Sequence, residues 1–333
     1  MGTRASRRLA VATLLLVCLS AGAAGAATPL RTEKAAAFVA SRQLDNGSFP
    51  AFSSIGSTAD AVAAFVAAGE GQTQVDDAIG YLRRQTRAGN VTGIGTIAKV
   101  VMAAVAAGKD PNAFGSHDLV TEITHTQLPS GRFGDATVFD QALATLAMTA
   151  VTGGYNLSSF SWLLHGQCPD GGWQYDRPYH AATEGQHCGT PGDPTDYFRS
   201  DTNTTSLVVQ AIAPSGKGTW EVDPFAYFDA TRDASHGGWG YTWGYETTDA
   251  NSTALVIQAY VSASTVLPTG AAAALRELQY VCGAFAYSWT TAGKRTGRDL
   301  GATIGAIQGL TRTPSPVLPG DPLGGVPATT CPA

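Results

Sequence analysis

Two short patterns alternate along this chain, and their recurrence limits the available folds more than any other feature. The first is a glycine turn closed by an aromatic ring, clearest at Gln167-Cys168-Pro169-Asp170-Gly171-Gly172-Trp173. Looser copies run from Gln43 to Phe49, Gln127 to Phe133, His236 to Trp239 and Gln279 to Phe285. The second is an aspartate-led apolar start, Asp201 to Gln210, which returns at Asp249 to Gln258 and Asp299 to Gln308 with the same Asp-to-Gln offset. A long fixed period of this kind implies stacked supersecondary units, none of which buries its apolar face alone.

Around these signals the chain reads as six helical hairpins. The pairs are 32–41 with 57–68, 76–87 with 95–107, 118–126 with 139–151, 158–165 with 201–213, 224–231 with 251–262, and 270–278 with 299–310. First helices carry charge, as at Arg83, Arg84, Arg87 and Glu122, whereas second helices carry almost none and are rich in Ala and Val. A helix apolar on all sides is a buried one, so second helices are expected to line an interior and first helices to face solvent. Six of each close naturally into a ring with no exposed ends to cap. Asp201, Asp249 and Asp299 stand where a carboxylate accepts N-terminal backbone N–H groups and meets the positive end of the helix dipole.

At the start, Arg4, Arg7 and Arg8 precede an apolar run from Leu9 to Leu19 and small residues at Ala24-Gly25-Ala26. This is the pattern of a secretory signal over 1–26, and its run is too short to span a bilayer. The expected domain covers 27–312, and the prolines of 313–333 deny a further helix. With 44% hydrophobic residues, a formal charge of -5 and no Lys/Arg cluster, nothing predicts a membrane span, and nucleic-acid or anionic-membrane binding is disfavoured. We expect a secreted monomer. Cys168, Cys188, Cys282 and Cys331 remain after the leader, an even number that suits two disulfides in an oxidising compartment. Three pairings are open; Cys168 with Cys188 and Cys282 with Cys331 is the favoured one. The spacing of His165, His180, His187, Cys188 and Asp193 fits no compact metal-ligand pattern, so no metal and no cofactor are expected.

The turn Gln167-Cys-Pro-Asp-Gly-Gly-Trp173 resembles the glutamine-tryptophan motif of the squalene-hopene cyclase and protein prenyltransferase superfamily. The starts Asp201-Thr-Asn-Thr-Thr-Ser-Leu and Asp249-Ala-Asn-Ser-Thr-Ala-Leu are similar to that superfamily's inner helices, and more remotely the chain resembles the cobalamin carriers of the intrinsic factor type. The resemblance implies an all-α (α/α)6 toroid of six helical hairpins. It does not bring the chemistry with it. The cyclases protonate an alkene with the central acid of an Asp-x-Asp-Asp motif, which is missing here, and Asp76-Asp77 lacks a third carboxylate. No prenyltransferase-like zinc set is present either.

Gln167, Trp173 and Trp239 therefore read as scaffold, with the glutamine amide and the ring serving helix ends. Long aromatic loops in the later repeats point to a ligand mouth. The expected ligand-binding residues are Tyr175, Tyr197, Asp201, Asn203, Trp243, Tyr245, Asp249, Asn251, Tyr287 and Trp289. Rings with a few carboxylates suit a small apolar or aromatic-stacking ligand such as an isoprenoid, lipid or corrinoid. The expectation leans to a non-catalytic binding module. The alternative is a divergent enzyme, an isoprenoid cyclase or a glycan-degrading toroid, with Asp201 and Asp249 as candidate general acids.

Overall fold

A computed structural model describes residues 27–154, 156–176, 188, 199–216, 220–242 and 245–332. The expected leader at 1–26 lies outside them. The described chain is rich in helix, and its only sheet pairs the two-residue strands β1 (Phe285–Ala286) and β2 (Arg298–Asp299).

Six core helices are α2 (Ser54–Ala68), α4 (Ile94–Ala106), α6 (Val138–Thr152), α8 (Thr202–Ile212), α10 (Ala250–Ser262) and α12 (Leu300–Thr311). Six flanking helices are α1 (Ala27–Ala40), α3 (Gln72–Arg87), α5 (Leu119–Thr124), α7 (Leu157–His165), α9 (Pro224–Ala230) and α11 (Ala271–Glu277). Boundaries follow the sequence expectation closely. The largest difference is α1, which begins five residues before the expected Thr32 because Pro29 falls in its first turn, where a missing N–H is tolerated. Each core helix packs against the next, and α12 packs against α2, so the succession of contacts returns to its start.

Every copy of the glycine turn is tied to the core helix that follows it. The backbone N–H of Phe49, Trp173, Trp239 and Phe285 donates to the hydroxyl of Thr58, Thr205, Thr253 and Thr303 at 2.8–3.0 Å, and that of Phe133 donates to Gln141 Oε1 at 2.8 Å. All five rings are fully buried. The acceptor stands four residues after Asp201, Asp249 and Asp299, whose carboxylates accept from Thr204, Ser252 and Ala302 N–H at 2.7 Å. One turn of helix thus carries both the cap and the anchor for the turn. The indole N–H groups of Trp173 and Trp239 donate to Leu163 and Phe228 carbonyls at 2.7 Å, which satisfies the ends of α7 and α9.

The glutamine of each turn reaches the neighbouring hairpin. Gln43 donates to Gln74 O, Gln127 to Ser159 Oγ, Gln167 to Val222 O and Gln279 to Arg31 O, at 2.7–3.0 Å. Arg232 does the same work in the fifth unit, donating to Gly237 O and Thr269 O. The Gln279 bond joins the last unit to α1, and there Gly283 (φ +110°) leaves only 2.3 Å between an added Cβ and the Lys34 backbone. Both favoured disulfides are present, Cys168–Cys188 and Cys282–Cys331.

Replacing Thr253 by Val keeps its shape but leaves the buried Trp239 N–H without an acceptor. We expect a loss of about 1–3 kcal/mol in urea-denaturation stability. An unchanged midpoint would contradict the role assigned to this hydrogen bond.

Candidate functional site

All six core helices contribute to one central cavity of about 260 Å³. Its wall is mostly apolar, with Ala63 on α2, Ala103 on α4, Leu143 on α6, Leu207 on α8, Leu255 on α10 and Ile304 on α12. Phe52 stands at its rim, 80% exposed yet packed over Gly301, where an added Cβ would lie 2.9 Å from the ring. The same ring borders a shallow groove with Tyr287, Thr296, Arg298 and Asp299.

The charged groups of the wall come from residues that the repeat did not single out. Asp60 and Lys99 are the only charged residues in the bodies of α2 and α4, and they meet in the cavity at 2.7 Å. The one charge in α6 is Asp140, whose carboxylate fits against Gly95, one turn before Lys99; an added Cβ there would lie 1.9 Å from Asp140 Oδ1. Burial raises the Asp140 pKa, opposed by its bonds to Thr137 and by the Lys99 charge. Asn251 faces the cavity from the second position of α10, opposite Gly305, where an added Cβ would come within 2.5 Å of its Oδ1.

The cavity floor joins the other end of the repeat to the C-terminal segment. Gln210, Gln258 and Gln308 occupy the far ends of α8, α10 and α12. Gln210 Oε1 accepts from Ser315 N–H at 2.8 Å, and Gln308 Nε2 donates to Thr313 O and Ser315 Oγ at 3.4 Å. Ser315 and Val317 therefore form part of the floor, and Val317 is buried. Further on, Gly324 exchanges backbone hydrogen bonds with Gly69 and Gly71 before Cys331 reaches Cys282. The proline-rich tail is thus a strap across the core-helix ends.

The expected ligand residues separate into groups. Asn251 lines the cavity and Tyr287 the neighbouring groove. Asn203 holds the position in α8 that Asn251 holds in α10, and its buried Oδ1 has no hydrogen-bond partner. Tyr245 is 73% exposed, and Trp289 stacks on His236 with the rings 4.8 Å apart and 10° from parallel. Tyr197 and Trp243 lie outside the described residues. Tyr175 and Tyr287 also serve the scaffold, since their carbonyls accept from Val138 and Ala250 N–H at the starts of the preceding units' core helices; Tyr241 does this for Thr202.

Asp201 and Asp249 are buried caps. Both oxygens of Asp249 are used, accepting Ser252 N–H and Oγ–H, whereas Asp201 Oδ2 has no partner. The buried Thr204 Oγ1 and Tyr227 hydroxyl are likewise without hydrogen bonds. Desolvation pushes the Asp201 carboxyl up to about 7 and that of Asp249 to about 6, and burial with the nearby Asp201 charge drives the Tyr227 phenol well above its ordinary value. No group of three or more His, Cys, Asp or Glu residues able to hold a metal occurs among the described residues. No described helix is long and apolar enough to cross a membrane.

No protein-family model matches this chain, and no curated protein matches it in sequence. Solved structures do match in shape. One is the type II terpene cyclase MstE from Scytonema without ligand, at 14% identity and a TM-score of 0.55, with 86% of this chain and 98% of that one covered. Another is a protein from Actinoplanes at 13% identity and a TM-score of 0.58, covering 86% and 99%. The chain shares its fold with a type II terpene cyclase. At these identities the likeness concerns the fold alone.

The buried aspartates give folding a definite pH dependence. A carboxyl whose folded pKa exceeds its unfolded value near 4 takes up a proton on folding, so its contribution is complete below that value and lost as pH rises through the folded pKa. For Asp201 that interval runs from about pH 4 to about pH 7. We expect wild-type stability measured against D201N to fall across it by chemical denaturation. A difference that rises with pH would contradict the burial of this carboxyl.

Proposed function

We propose that the six hairpins close into an α/α toroid and that the protein is a secreted, monomeric, non-catalytic binding module for a small apolar ligand held in the central cavity. The observation that carries this reading is an apolar cavity to which all six core helices contribute, with a few polar groups at defined points. At about 30 Å³ per water-sized group, its volume seats a ligand of about nine heavy atoms. A short isoprenoid or alkyl chain fits that volume. The signal-like start of the sequence, the two disulfides and the lack of a membrane-crossing helix among the described residues support export.

The sequence around the α8 cap supports binding over catalysis. Asp201-Thr202-Asn203-Thr204 has the spacing of the cyclase Asp-x-Asp-Asp motif, with an amide and a hydroxyl in place of its second and third carboxylates. An amide at the central position has no proton acidic enough to give to an alkene. The enzyme reading, an isoprenoid cyclase or a glycan-degrading toroid, keeps one observation in its favour: Asp201 is a buried carboxyl held near neutrality with one oxygen free.

Native mass spectrometry of the exported protein tests the proposal. We expect a small apolar molecule to be retained and recovered unchanged, and Ala63→Phe, which fills the cavity, to abolish its retention in a folded protein. Conversion of a supplied polyprenyl or glycan substrate by the wild type, lost in Asp201→Asn, would overturn the non-catalytic reading.

A further inference from the structure

The charged groups that line the cavity cancel each other. They are Asp60 on α2 and Lys99 on α4, bonded directly from Lys99 Nζ to Asp60 Oδ2 at 2.7 Å. Asp140, fitted against Gly95, is not part of the lining. The pair is not sealed off, since the two side chains remain 26% exposed at Lys99 and 44% exposed at Asp60. Their bond uses one ammonium N–H and one carboxylate oxygen, and neither side chain makes another hydrogen bond among the described residues. Free N–H donors of Lys99 and the Asp60 Oδ1 acceptor therefore stand side by side in a mostly apolar wall. Asn251 adds a neutral amide whose side chain also makes no hydrogen bond among the described residues. At the far end, Gln258, Gln308 and Ser315 are already engaged with Ala254, Thr313 and one another.

A head group that enters this wall gives up its water, and the groups it meets decide whether that loss is made good. An ammonium drawn to Asp60 comes close to the Lys99 charge, and a carboxylate drawn to Lys99 comes close to Asp60. Either one leaves a charge uncompensated in a site of low dielectric, which is costly. A hydroxyl meets both partners with one atom, its oxygen accepting from Lys99 Nζ and its O–H donating to Asp60 Oδ1. Both of these hydrogen bonds involve an ionised partner and belong to the stronger class. An ether oxygen makes the first bond and has no proton for the second.

Resting on the binding-cavity reading above, we propose that the natural ligand is a lipophilic alcohol, its hydroxyl bridging Lys99 Nζ and Asp60 Oδ1 and its apolar chain lying among the alanine and leucine side chains of the core helices. The ion pair is a neutral clamp with a donor and an acceptor side, and it selects against charged head groups.

The test uses four straight-chain ligands of matched length, 1-octanol, 1-methoxyheptane, 1-octylamine and octanoate, titrated calorimetrically into the full disulfide-bonded protein at neutral pH. Octanol is expected to bind about tenfold more tightly than each of the other three. Asp60→Asn leaves the Lys99 charge unpaired and is expected to make octanoate the tightest of the four. Lys99→Met leaves Asp60 unpaired and is expected to favour octylamine instead. Any of the other three binding as tightly as octanol to the wild type would overturn the alcohol assignment while leaving the binding cavity intact. An order of affinities unchanged in both variants would overturn the placement of the head group at this pair. If none of the four binds, the binding reading fails and this inference fails with it. The wild-type comparison is decisive even if neither variant folds.

Discussion

The architecture depends on one hydrogen bond made five times, from the buried backbone N–H after each glycine turn to a side chain in the first turn of the next core helix. A buried N–H without an acceptor costs about 1–3 kcal/mol, so the residue placed there is not free to vary in chemistry. That single requirement fixes where the flanking helix stops and where the core helix starts. The glutamine of the same turn, or Arg232 in the fifth unit, then spaces the unit from its neighbour. Because the last such bond runs from Gln279 to Arg31, the device that separates neighbouring hairpins also joins the end of the chain to its beginning.

Much of this was legible in the sequence, since turns and caps are local. All twelve described helices and the aspartate caps could be read from spacing and composition, and of the three disulfide pairings that the sequence leaves open the favoured one is present. The reason the two repeated patterns travel together was less visible. It lies in Thr205, Thr253 and Thr303, which look like ordinary helix-start residues until their hydroxyls are seen to accept the turn's amide. The constant Asp-to-Gln offset has no role that the sequence itself reveals. Its far end proves to be the cavity floor, where Gln210 and Gln308 hold the strap at Ser315.

The cavity chemistry was the least legible part. Asp60, Lys99 and Asp140 occur once each, in three different helices, and no periodic pattern marks them. Only the packing of α2, α4 and α6 brings them together. Small residues were the available signal, because Gly95 and Gly305 sit inside core helices where glycine lowers helix propensity, and each admits a polar side chain of a neighbour. The aromatic loops carry rings suited to a ligand, but Tyr175 and Tyr287 contribute backbone carbonyls to the scaffold, a role that side-chain chemistry does not announce.

Native-state hydrogen exchange at the amides of Trp173, Trp239 and Phe285 tests the central claim most directly. If these hydrogen bonds hold the units together, the three amides exchange only through global unfolding and share the slowest rates in the protein, with the same denaturant dependence. Exchange at the rate of exposed loop amides, or through small local openings insensitive to denaturant, would contradict the claim.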